Sequence, residues 1–126
     1  MSARAPTTKH TKVRAYRFGL HAETVCVWWL RARGYRVLAR RFKAPVGEID
    51  IVARKGMLLA MIEVKARRGG DMAEAVPTQR QRRRIARAAE AFIARFPRLA
   101  GCDIRFDLLV ARPWRLPVHL PDAWRP

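Results

Sequence analysis

Apolar positions along this chain fall into short periodic blocks, separated by glycine, proline or basic turns. Over 16–33, Phe18, Ala22, Val25, Cys26 and Trp29 recur at helical spacing and predict a helix with one apolar face, stopped by Gly34. Tyr35-Arg36-Val37-Leu38-Ala39 predicts a short strand, and Lys43-Ala44-Pro45-Val46-Gly47 a loop. Polar and apolar residues alternate over 48–53, which predicts a strand. Arg54-Lys55-Gly56 reads as a turn, and 57–66 as a second strand, apolar until Glu63. Arg67-Arg68-Gly69-Gly70-Asp71 reads as a flexible basic loop. A second helix follows over 78–95, with Ile85, Ala88, Ala89 and Phe92 on its inner face, then a strand over 102–110. The proline- and tryptophan-rich stretch 112–126 predicts an irregular tail.

This order of elements predicts an α/β fold, a mixed sheet flanked by helices. The 126 residues fit one domain. Within it we expect a disordered basic tail at 1–14, a folded unit at 15–111 and the C-terminal tail at 112–126.

Charge changes the picture most. The formal net charge is +17, from 27 Lys and Arg against 10 Asp and Glu. Such a surplus suits a polyanionic partner, first of all nucleic acid, because basic side chains release counterions condensed on phosphates. An Arg-rich proteome would also produce a basic chain. No apolar run approaches bilayer-spanning length, so no membrane helix is expected. The basic N-terminus has no apolar stretch of the secretory kind. Cys26 and Cys102 sit among apolar residues without metal-ligand spacing, as expected of small core residues in a reducing, cytoplasmic setting.

Acids are scarce, so their places are informative. Glu23 alone precedes Glu48, and the hairpin then holds Glu48, Asp50 and Glu63. Strand alternation puts Glu48 and Asp50 on one face, and Glu63 with Lys65 on one face of the next strand. A pairing of Glu48 with Glu63 would leave Asp50 diagonal to Glu63, near Met61; a one-residue slip would separate the acids. Asp50, Glu63 and the Val64 carbonyl together offer hard oxygen donors suited to Mg²⁺ or Mn²⁺. Such a metal polarises a phosphate and activates water. Lys65 would orient that water or stabilise charge on the phosphate. Taken alone, Glu63-x-Lys65 is more simply a surface ion pair, stabilising a hairpin by at most about 1 kcal/mol. Two features raise the metal reading. The flanking segments Ile49-Asp50-Ile51-Val52 and Leu58-Leu59-Ala60-Met61-Ile62 look buried on both faces, and buried carboxylates must be paired or metal-bound.

Gly47-Glu48-Ile49-Asp50-Ile51-Val52, followed by Ile62-Glu63-Val64-Lys65-Ala66-Arg67, resembles the signature of the YraN-type family of small bacterial proteins. That family is similar to the PD-(D/E)XK nucleases and to archaeal Holliday-junction resolvases. The resemblance runs over 18–110, with further matches at Ala22-Glu23, Arg33-Gly34-Tyr35-Arg36-Val37-Leu38, Ala73-Glu74-Ala75-Val76 and Arg105-Phe106-Asp107. It implies a restriction-endonuclease-like core. It further implies Asp50 and Glu63 as metal ligands, Lys65 as the catalytic lysine, and Glu23 as a first-helix glutamate beside the metal. The chain departs from the family at Ala22 (usually Gly), Arg41 (usually Asn) and Gln81 (commonly Lys). The function expected is metal-dependent endonucleolytic cleavage of DNA, with branched DNA a candidate substrate; a non-catalytic nucleic-acid-binding module is the alternative. A junction's two symmetric strands would also suit a homodimer.

Arg80, Arg83, Arg84 and Arg87 give the second helix a basic surface able to follow phosphates, and Arg67 and Arg68 could clamp a strand. Each set could equally be a solvated face. Trp114 and Trp124 would stack on bases or pin the tail to the core. Asp107 reads as a partner of the site or as a structural ion pair. His10, His21 and His119 form no ligand pattern.

Overall fold

The apolar runs that read as buried on both faces form the centre of a five-stranded sheet. The computed structural model describes residues 9–68 and 72–126. Its elements are helix α1 (Lys9–Ala32), strands β1 (Arg36–Ala44), β2 (Gly47–Lys55) and β3 (Leu58–Ala66), helix α2 (Gln79–Arg95), and strands β4 (Asp103–Arg112) and β5 (Arg115–Leu120). Short 3-10 turns precede and follow α2, at Met72–Ala75 and Pro97–Leu99.

Strands lie in the order β1-β2-β3-β4-β5. All neighbours are antiparallel except β3 and β4, which are parallel. A parallel pair needs a crossover, and α2 lies on that crossover. Its start is set by a capping box: the Gln81 N–H donates to Thr78 Oγ1 (3.2 Å), and the Thr78 N–H donates back to Gln81 Oε1 (2.9 Å).

One helix covers each side. Ile85, Ala88, Ala89 and Phe92 of α2 pack on Val52, Leu59 and Met61, the inner face expected from sequence. Ala22, Cys26, Val27 and Leu30 of α1 pack on Ile51, Ala53, Ala60 and Ile62. Strand residues 59–62 are all fully buried, as a sheet covered on both faces requires. This is a mixed-sheet α/β fold, consistent with a restriction-endonuclease-like core.

Several boundaries differ from expectation. Helix α1 starts at Lys9 rather than at 16, and Val25 is exposed rather than on its inner face. Phe18 is outside the residues whose side chains are described, as are residues 1–8 of the expected basic tail. The expected loop at 43–47 is a hairpin: β1 runs on to Ala44, the turn is Pro45-Val46, and Ala44 pairs with Gly47. Residues 112–126 are not an irregular tail, because Arg115–Leu120 adds a strand antiparallel to β4. Pro117 obscured it, yet proline is tolerated in an edge strand, where one N–H has no partner strand. Beyond β5, Trp124 is buried and stacks on Phe106 with ring centroids 4.4 Å apart. No described helix is long and apolar enough to cross a membrane.

Candidate metal centre and basic cleft

The chemistry-bearing acids gather where β2 and β3 part. Their ladder runs from Lys55↔Leu58 to Ile51↔Ile62. One step further, Asp50 falls opposite Glu63, a two-residue shift from the register expected from sequence. An even shift keeps every side chain on its face, so the acids still meet. At the parting point the Val64 N–H, which a continuing ladder would give to β2 backbone, donates to Asp50 Oδ2 (2.8 Å). Backbone N–H and C=O of one strand residue leave on the same side, so the Val64 carbonyl points to the same gap.

Local irregularity shapes this gap. Ile49 packs under α2 while Ile51 packs under α1, although residues two apart in a strand normally share a face. The switch falls across Asp50. Opposite it in β1, Arg41 has a left-handed backbone (φ 52°) and breaks the run of paired residues. Gly47 holds β2 close to α2: a Cβ there would run into the Arg84 carbonyl oxygen. That contact brings the basic helix beside the acids. Glu48, Asp50, Glu63, Gln81, Arg84 and Ile85 together line a cleft of about 360 Å³.

Electrostatics at the gap are strained. Burial, the nearby Glu63 charge and hydrogen bonding with Glu63 raise the Asp50 carboxyl to about 7, against the Val64 N–H, which favours the anion. Beneath it, burial and the charges of Glu23 and Asp50 push the Cys26 thiol up to about 12, so this cysteine is an inert core residue. Lys65 Nζ lies 3.2 Å from Glu63 Oε2.

Glu23 arrives from α1 close enough to influence Asp50, yet it is held by two arginines. Arg40 Nε and Arg41 Nε each lie 3.1 Å from one of its oxygens. The structure therefore brings Asp50, Glu63 and Lys65 together and places Glu23 beside them, already paired. Glu48 joins the cleft lining. Arg80, Arg83, Arg84 and Arg87 are exposed along α2, and Arg84 reaches the cleft. Arg67 is half-buried, with Nη1 donating to its neighbour's carbonyl, Ala66 O (2.9 Å); Arg68 is exposed.

Two crowded carboxylates and a strand carbonyl are hard oxygen donors, and a divalent cation would offset both the loss of solvent and the repulsion that raise Asp50. These residues fit such an ion. Among the described residues no three acidic, histidine or cysteine side chains stand grouped to enclose a metal unaided. A cation here would complete its sphere with water or substrate oxygens, as Mg²⁺ commonly does.

A second acid, for which the sequence left open a structural ion pair, lies on β4. Asp107 is fully buried and bonded by Arg105 Nε and Nη2 (2.7 Å each), His119 Nε2 (2.8 Å) and the Asp122 N–H (3.0 Å). Burial alone would raise its pKa, but these donors hold it below the usual carboxylate range. His119, to which the sequence assigned no role, comes from β5, so it could not be placed before that strand was known. Arg105 also donates to the Tyr35 hydroxyl (2.8 Å). This network is structural: it ties β5 and the chain end to β4.

Comparison with known proteins places the chain. A model of "Uncharacterised protein family UPF0102" matches residues 22–111. The chain belongs to the UPF0102 family. It is 53% identical over 116 residues to a UPF0102 protein of Parvibaculum lavamentivorans, covering 92% of this chain and 87% of that one. It is 47% identical over 129 residues to one of Paramagnetospirillum magneticum, covering 99% and 98%. A Rhodopseudomonas palustris relative is 49% identical over 121 residues, covering 93% and 94%. The matched segment of this UPF0102 chain begins at Ala22, beside Glu23, and ends at Ala111, so it contains all four candidate site acids and Lys65.

Proposed function

We propose that this protein is a metal-dependent endonuclease that hydrolyses DNA phosphodiester bonds, with branched DNA among its substrates. The observation that carries the reading is the Asp50–Glu63 pair at the parting of β2 and β3. Loss of solvent together with the facing Glu63 lifts Asp50 to about 7, and Lys65 lies 3.2 Å from Glu63. A fold has no use for two like charges pressed together unless a cation or proton resolves them.

In this reading Asp50 and Glu63 hold Mg²⁺ or Mn²⁺, which when bound supplies charge for the scissile phosphate and an acidified water. Lys65 gives up part of its pairing with Glu63 and orients the attacking water or meets charge developing on the phosphate. Arg84 contacts a phosphate from the opposite wall of the cleft, and Arg80, Arg83 and Arg87 follow the backbone along α2. Glu23 acts on Asp50 through its charge while Arg40 and Arg41 hold it in place.

The alternative, a nucleic-acid-binding module without catalysis, has one observation in its favour. Both oxygens of Glu23 already face arginines, which leaves Asp50 and Glu63 as the only two carboxylates left to a metal from the three expected. Cleavage assays decide between them. Purified protein is incubated with duplex, single-stranded and four-way-junction DNA, with Mg²⁺ or Mn²⁺ and with EDTA, alongside Asp50→Ala and Lys65→Ala. Metal-dependent cutting lost in both variants supports the nuclease. Binding without cutting on every substrate, unchanged in the variants, favours the module.

A further inference from the structure

The tip of the β4–β5 hairpin is at odds with the rest of the fold. Arg112 pairs with Arg115, so Pro113-Trp114 forms a two-residue turn. Trp114 has a left-handed backbone (φ 59°), a conformation that turns normally assign to glycine or asparagine. Its side chain is fully exposed, at 101%. The fold thus bears backbone strain and a large bare aromatic surface, and gains no packing from either. Beside it, Leu116 is 73% exposed and Val25 of α1 is 44% exposed. These residues border a largely apolar groove of about 710 Å³, whose charged lining among the described residues is Arg68, Arg112 and Arg115.

Position adds meaning. Because β3 and β4 are parallel, Lys65 pairs with Val110 and Ala66 with Ala111, and the Arg67 N–H donates to Ala111 O (2.9 Å). The strand carrying Glu63 and Lys65 and the strand leading to Trp114 therefore leave the sheet at the same end. The acid cleft is lined from α2 and the groove from α1, where Arg68 joins its wall.

We infer that Trp114 and its flanking arginines form a stacking platform for unpaired bases of a DNA strand that passes from the cleft over this end of the sheet. An aromatic face accepts any base, while arginines on either side meet the phosphates. A rim whose described charged residues are all arginines favours a polyanion over a second copy of a chain carrying a net charge of +17. The inference rests on the nucleic-acid reading above and assigns it a substrate class: DNA with single-stranded character beside the cleavage point.

Binding, rather than cleavage, tests it. In EDTA, the full chain is titrated against a labelled oligothymidylate of about 12 nucleotides and against a blunt duplex, read by anisotropy and by tryptophan emission. Trp114→Ala is expected to weaken the single strand about tenfold and the duplex little, while Trp114→Phe keeps most of the affinity. Emission quenching by the single strand should be lost in both variants. Three results would each overturn the platform: equal single-strand affinity in wild type and Trp114→Ala, equal losses on both DNAs, or sedimentation showing that Trp114→Ala merely dissolves a dimer. Absence of cleavage by the wild type with intact Trp114-dependent binding sinks the nuclease and leaves the platform; absence of all DNA binding removes both.

Discussion

Two aspartates on neighbouring parts of one sheet, Asp50 partly buried and Asp107 fully buried, behave in opposite ways. Asp107 has a guanidinium, an imidazole and a backbone N–H around it, and is held ionised. Asp50 has one backbone N–H and a second carboxyl, and its affinity for a proton rises. Loss of solvent pushes both upward; the partners differ. A satisfied buried charge is structure, whereas an unsatisfied one is a vacancy for a counter-charge. That contrast distinguishes the candidate site from the structural network more sharply than burial or charge alone.

The largest expected effect falls on the satisfied centre. Asp107→Ala strands Arg105 without its carboxylate and should lower stability by about 3–5 kcal/mol, measured by urea unfolding. If it costs less than about 1 kcal/mol, Asp107 is not the structural centre described here. At the crowded centre the balance reverses. Asp50→Ala should reduce metal-dependent DNA cleavage on the order of 10²–10³-fold while leaving the urea midpoint near that of wild type. A collapse of folding in this variant would make the two acids alike and end the contrast.

Proton linkage gives the next largest effect. The folded pKa of Asp50, about 7, lies above its ordinary 3.8, so the metal-free folded state holds a proton that the unfolded chain releases. This group's contribution to stability is thus full below about pH 4 and is lost as pH rises towards 7. Asp50→Asn removes that dependence. Above pH 7 in EDTA it should be the more stable protein by roughly 2 kcal/mol, the gain fading towards pH 4. Adding Mg²⁺ should stabilise the wild type and not the variant. Any loss of stability on acidification through Asp107 has the opposite sign, since its folded pKa is depressed. The smallest effect is at His119→Gln, which leaves Asp107 most of its donors and should cost about 1 kcal/mol in thermal melts.

Much of this molecule was legible in the chain. Alternation and helical spacing revealed the central strands and the inner face of α2, because both are local consequences of which side of an element meets the core. Scarcity of acids singled out Glu48, Asp50 and Glu63. Strand β5 was hidden by Pro117 and Pro121, since its edge position, which makes proline tolerable, is a tertiary fact. The role of His119 was hidden with it. By itself the sequence determined the fold class, the basic surface and the residues available for chemistry, since these follow from composition and short-range period. Only the tertiary structure decided the β2–β3 register, the pairing of Glu23 with Arg40 and Arg41, and which of Asp50 and Asp107 is satisfied. Those depend on groups that meet across the sheet, where an even shift of register is invisible to alternation and partners come from strands far apart in the chain.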